Sequence, residues 1–203
     1  QANVAVSGGF GTVTLGNQLN AYIGGAAGTT LPGSMFGAFD VAAIVGSGEA
    51  TGGGGNAGGF FTREAITYAS PDLGGMSFAV QQQLQGANAS NYAMTSANAS
   101  AHLGDIKATA GWIDRNGVRK SWTVGASVPM GPLTANLRYT ASDTAGPTAE
   151  ATQVRGGVSY ALTSETTLTL QHASNRGSAT GSLTSLGALY SMSKATSLYA
   201  HYS

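Results

Sequence analysis

Six basic side chains set the chemistry open to this sequence. Arg63, Lys107, Arg138 and Arg155, with His102 and His201, all fall on the polar side of segments in which apolar and polar residues alternate. No acidic residue within those segments clearly joins them. In a narrow water-filled space with low-dielectric walls, several cations at one level raise the local concentration of anions. Counted from the nearest tight turn, Arg63, Arg138, Arg155 and His201 each sit about six or seven residues along, roughly 16 Å on a tilted strand. They would therefore share a level, with Lys107 and His102 lower.

Catalytic signatures are thin by comparison. Residues 53 to 58 read GGGNAG and formally fit G-x-G-x-x-G, but they lie within a glycine run, follow no buried strand and open no evident helix. The sequence has no G-x-x-x-x-G-K-[ST], no H-E-x-x-H and no G-x-S-x-G. The histidines are far apart in sequence, so each reads as a wall or loop residue rather than a metal ligand. No cofactor or metal is called for. The sequons at Asn88 and Asn98 carry no information on function.

The elements that must position the cations follow from composition. The chain has 203 residues, of which 9% are charged, against roughly 25% in an ordinary soluble domain. Nine Lys and Arg balance nine Asp and Glu, so no basic excess points to nucleic acid. The absence of cysteine excludes a disulfide scaffold and thiolate metal sites. The longest aliphatic run, Val41 to Val45, is far short of the roughly 20 residues of a membrane helix. With 31 glycines and 42% hydrophobic residues, the chain is too apolar for disorder and too interrupted for helices.

Period-two alternation predicts about twelve strands, over 3–7, 11–18, 63–70, 75–86, 94–103, 105–114, 120–129, 132–142, 152–162, 166–174, 182–191 and 196–203. Several approach the nine to eleven residues of a tilted membrane strand. Tight turns (7–10, 70–74, 103–105, 129–132, 162–165, 192–195) alternate with longer connections (19–62, 87–93, 115–119, 143–151, 175–181), as in an up-and-down barrel of an outer membrane.

The polar face separates this from a soluble sandwich. Opposite the apolar residues stand small uncharged polar ones, so inverting the pattern gives an apolar exterior and a polar lumen. Aromatic residues sort by strand end: Trp112, Trp122, Tyr139 and Tyr202 toward the long loops, Tyr68, Phe78, Tyr160 and Tyr190 toward the tight turns. Two girdles at two membrane interfaces would place them so.

Three segments carry a family resemblance. GFGTVTLGNQ over 9–18, AITYASPDLGG over 65–75 after a long loop, and SMSKATSLYA over 191–200 resemble, in order, the general porins of Gram-negative bacteria, of the betaproteobacterial type. The resemblance implies a sixteen-stranded transmembrane barrel that assembles as a homotrimer, with residues 1–203 supplying one barrel domain, strands four to fifteen, and lacking strands at both ends. The residues alone equally permit a twelve-stranded barrel. It also implies that 19–62 is a loop folded into the pore, carrying Asp40 and Glu49, with a short helix allowed over 34–45 although Gly37 opposes it.

The function that follows is passive diffusion of ions and small hydrophilic solutes across a cell outer membrane, with a modest anion preference and contact with lipid and lipopolysaccharide. The arginines would either set that preference or hold the loop by pairing with Asp40 or Glu49. Two alternatives stand beside it. An outer-membrane barrel enzyme would need clustered acids and histidines at one rim, and a Gly/Ser-rich surface adhesin would need a fixed repeat.

Overall fold

The computed structural model describes residues 2–29, 31, 61–84, 94–115, 119–144, 150–177 and 180–203. Twelve strands form one antiparallel sheet in sequence order: β1 (Asn3–Gly8), β2 (Gly11–Leu19), β3 (Phe61–Ala69), β4 (Met76–Gln83), β5 (Met94–Leu103), β6 (Ile106–Arg115), β7 (Arg119–Met130), β8 (Leu133–Thr144), β9 (Glu150–Ala161), β10 (Thr166–Gly177), β11 (Gly181–Ser191) and β12 (Ser197–Tyr202). Every strand pairs with its sequence neighbour, which is the up-and-down order expected from alternating short and long connections. β8, β9 and β10 run two or three residues further toward the long-loop side than the apolar alternation predicts. There the ladder continues through polar positions such as Lys120 and Asp143.

Turn chemistry fixes the register on the short side. Leu103 pairs with Ile106 and Met130 with Leu133, leaving two-residue turns whose first residues, Gly104 and Gly131, have φ of 62° and 63°. A hairpin turn of this kind needs positive φ at that position, which glycine adopts without a Cβ clash.

Burial is inverted relative to a water-soluble sheet. Among the described residues nine apolar side chains are buried against nineteen polar or charged ones, while 33 large apolar side chains are exposed. Such a pattern is favourable only where the surroundings are apolar and the enclosed side is wet. Among the described residues the polar face carries one helix, α1 (Ala21–Ala27). It marks that face as the inner one.

α1 lies within the segment expected to be loop. Asn20 caps it, its side chain accepting from the Tyr22 amide at 3.0 Å. Gly24 and Gly25 oppose a helix by about 1 kcal/mol each, so packing must hold it. Tyr22 and Ala26 are buried with Met94 of β5 and Ile113 of β6 in the one apolar cluster of the inner face among the described residues. The helix expected over 34–45 lies outside the described residues, as do Asp40 and Glu49.

The ladder also fixes how the strands lean. Starting from Tyr68 on β3, successive partners are Val80, Ala97, Trp112, Trp122, Ala141 and Thr152 on β9. Tyr160, the tight-turn aromatic of β9, is eight residues further along. Placing Tyr68 and Tyr160 at one level thus requires about 26 Å of stagger over about 29 Å of sheet, a tilt of about 42°. That lies within the 35–45° needed to close a sheet into a barrel.

Candidate functional site

The inner face is built from side chains that alternate with the exposed apolar set. On β8, Asn136, Arg138, Thr140 and Ser142 point inward while Leu137 and Tyr139 are exposed outside; on β9, Gln153, Arg155 and Ser159 oppose Val154, Val158 and Tyr160. Arg138 and Arg155 are direct partners across the β8–β9 ladder and both are buried. Arg138 donates from Nη2 to Thr29 Oγ1 at 3.1 Å.

Residues 20–29, with Leu31, form a strap across this wall. Asn98 on β5 donates to the Ala21 carbonyl at 2.6 Å, and Asn136 on β8 to the Thr29 carbonyl at 2.7 Å. Gln81 on β4 donates to the Leu19 carbonyl at 2.9 Å. Between these anchors the backbones touch: a Cβ on Gly25 would meet Gly111 Cα at 2.7 Å, and one on Gly111 the Tyr22 carbonyl oxygen at 2.9 Å. The ladder from Asn98 runs through Gly111 and Thr123 to Thr140, four residues from Asn136. Four residues over three strands is the slope of eight over six found for Tyr68 and Tyr160, so the strap runs level around the wall.

The same slope orders the predicted cations. From Arg155 the ladder passes Ala173 and Leu183, and His201 on β12 pairs with Gly187, again four residues lower over three strands. Arg63 precedes Tyr68 by the five residues that separate Arg155 from Tyr160. Arg63, Arg138, Arg155 and His201 therefore occupy one level. Lys107 and His102 are direct partners, and the ladder from Lys107 through Ser127 and Asn136 to Gly157 puts them about 15 Å nearer the tight turns at that tilt.

Arg63 departs from the simple alternation. The register between β2 and β3 shifts between Gly16 and Gln18, and Glu64 has φ of 51°. Thr62 is the buried residue opposite Gln18, whereas Arg63 and Glu64 are exposed at the irregularity. A bulge inserts one residue and reverses the parity beyond it, so counting outward from Ala65 does not assign a face to Arg63.

Of the strand carboxylates, Asp114 and Asp143 stand on the outer face with Lys120, which pairs with Asp114 at 3.1 Å. Among the described residues no group of three His, Asp or Glu could hold a metal ion. The eight sorted aromatics are all exposed on the outer face. Trp122 and Tyr139 are in ring contact at 5.2 Å, and Tyr68 and Phe78 at 5.9 Å. The strap anchors Asn98, Asn136 and Thr29 escaped the sequence reading. Their signal is slight, two amides among many small polar residues on inward positions.

Comparisons with known proteins agree with this architecture. Residues 1–203 match the family model of the Gram-negative porin. Among solved structures, the anion-selective porin from Comamonas acidovorans is 22% identical with a TM-score of 0.69, covering 97% of this chain and 64% of its own. The chain thus spans less than two thirds of that protein. A loop L8 deletion mutant of OmpT, an outer membrane protein of Vibrio cholerae, is 15% identical with a TM-score of 0.75, covering 98% of this chain and 72% of its own. In-vitro folded OmpT of Vibrio cholerae in a trimer form is 12% identical with a TM-score of 0.71, covering 98% and 67%. No curated protein matches by sequence.

Proposed function

Because this chain belongs to the Gram-negative porin family over its full length, we propose that it forms the wall of a water-filled outer-membrane channel for ions and small hydrophilic solutes, with an anion preference. The observation that carries the preference is the pair Arg138 and Arg155, two guanidinium groups side by side on the inner face at the level of the strap. His201 shares their level, and Arg63 on β3 would add a third positive charge there to the two guanidinium groups. Lys107, with His102 as its direct partner, forms a lower basic step. In this reading segment 19–62 forms the constriction, a role that the strap supports, and its acids Asp40 and Glu49 would set a transverse field against the arginines. The preference of the Comamonas porin is in keeping with this sign.

Transport in this reading is diffusive and involves no chemistry. Charge at the constriction sets ion preference, and the size of strap and side chains sets exclusion. The functional unit is a homotrimer in contact with membrane lipid and lipopolysaccharide, in keeping with the trimer form of OmpT. The test is single-channel recording in a planar bilayer under a salt gradient. Ohmic steps in groups of three with an anion-selective reversal potential are expected. A cation-selective potential would overturn the charge assignment, and folded protein without conductance would overturn the channel.

A further inference from the structure

We propose that the inner wall between the strap and the tight turns holds a binding subsite for a doubly charged tetrahedral oxyanion, phosphate being the simplest, built from Lys107, His102 and Ser127. It deepens the channel reading above and rests on it. The three residues are neighbours in one ladder row: His102 on β5 pairs with Lys107 on β6, and Lys107 with Ser127 on β7. Directly opposed residues of an antiparallel sheet hold their Cβ atoms about 4.5–5.5 Å apart, so an imidazole and a hydroxyl flank the ammonium. Each stands an even number of residues from a strap contact on its own strand. Those contacts are Asn98, which donates to the Ala21 carbonyl, Thr109 beside Gly28, and Gly125 beside Thr29. All three therefore share the face that carries the strap, which passes two residues away on β6 and β7.

Availability separates this group from the arginines. His102 is exposed, and Lys107 and Ser127 are half-buried. Among the described residues the side chains of Lys107 and His102 form no hydrogen bond or ion pair. Arg138 and Arg155 are buried and already engaged, Arg138 with Thr29. The arginines act on a passing ion through their field, whereas Lys107 and His102 are placed to touch it.

The donor set selects the ligand. Lys107 is a point charge with three N–H donors, the neutral imidazole of His102 supplies one N–H, and Ser127 one O–H. They come from three strands and are not arranged in a plane. A guanidinium fork matches a flat carboxylate, while a compact ammonium with single donors around it matches a tetrahedral oxyanion. At equal distance a second negative charge doubles the attraction that chloride or a monocarboxylate would feel. Asp105, in the exposed turn two residues from Lys107, forms no ion pair with it and weakens the site by its charge alone.

The chain has three histidines, His102, His172 and His201, so imidazole proton resonances report the site directly. The intact chain is placed in lipid nanodiscs in alkaline buffer, where phosphate is a dianion and the imidazoles are neutral, and the His102 signal is identified by its loss in His102→Gln. Inorganic phosphate should shift that signal saturably, while chloride or acetate at matched ionic strength should not. His172, exposed beside Thr184 on the opposite face, should stay in place. Lys107→Gln should raise the half-saturating phosphate concentration by about twofold to fivefold, the scale of one exposed charge contact. Asp105→Asn should lower it. In planar bilayers phosphate should reduce the chloride current over the same concentration range. Equal shifts with acetate overturn the tetrahedral class, and a half-saturating concentration unmoved in both variants overturns the site. A saturable His102 shift in folded protein that conducts no chloride supports the site and overturns the channel reading.

Discussion

Arg138 and Arg155 stand directly opposite one another on β8 and β9, at 2% and 3% relative exposure. Like charges in that position cost stability in a sheet, and in the proposed channel the pair would act on passing ions. A unit charge about 7 Å from an ion's path in water-like surroundings is worth about 0.6 kcal/mol, or about threefold in local anion concentration. Replacing both with Gln is therefore expected to lower the anion-to-cation permeability ratio by about threefold or more, read from the reversal potential. An unchanged ratio would leave these arginines the task of holding the strap, through contacts such as Arg138 with Thr29.

The strap's hold depends on glycine. A side chain at Gly25 would run into the Ala110 carbonyl oxygen, and one at Gly111 into the backbone at Tyr22. Gly25→Val and Gly111→Val are each expected to cost about 1–3 kcal/mol by overpacking. With α1 lifted from β6 the strap should protrude further, giving lower mean conductance and more open-channel noise. Single-channel traces indistinguishable from the parent protein would show that the strap does not line the narrow part of the channel.

The strands were legible because a wall between water and lipid imposes period two on every one of them. Arg138 and Arg155 needed no more than parity on uninterrupted strands. Arg63 was not legible by the same count, because the positive φ at Glu64 follows from how β3 meets β2 and no residue type announces it. Nor was α1, whose Gly24 and Gly25 read as loop. Their lack of side chains is what allows the helix against the wall at Gly111, a property of the pair of surfaces and not of the segment.

The β9–β10 turn carries a small acid-sensitive lock. Ser164 Oγ donates to Glu165 Oε1 at 2.6 Å and Thr163 Oγ1 to Oε2 at 3.2 Å. These hydroxyls, Ser164 first, hold the Glu165 carboxyl below its ordinary value of 4.5. A carboxylate favoured in the folded state stabilises fully above pH 4.5, and the contribution is lost as pH falls through the lowered value. Amide exchange at Glu165 and Thr166, corrected for intrinsic rate, should rise in acid in the parent protein. In a Ser164→Ala, Thr163→Ala variant it should already be fast at neutral pH.

Leu137 and Arg138 are consecutive, yet Leu137 is 60% exposed on the outer face and Arg138 is buried on the inner one. If the outer face meets hydrocarbon, the same guanidinium should have opposite consequences one position apart. Leu137→Arg is expected to destabilise the folded protein in lipid vesicles by up to about 2–4 kcal/mol, the cost of an arginine near the bilayer midplane, read as a lower denaturant midpoint. Thr134→Arg, on the inner face of the same strand, should leave that midpoint nearly unchanged and raise anion preference. Equal destabilisation by both would mean that the two faces of β8 do not see different solvents, and the inverted burial pattern would then need another cause.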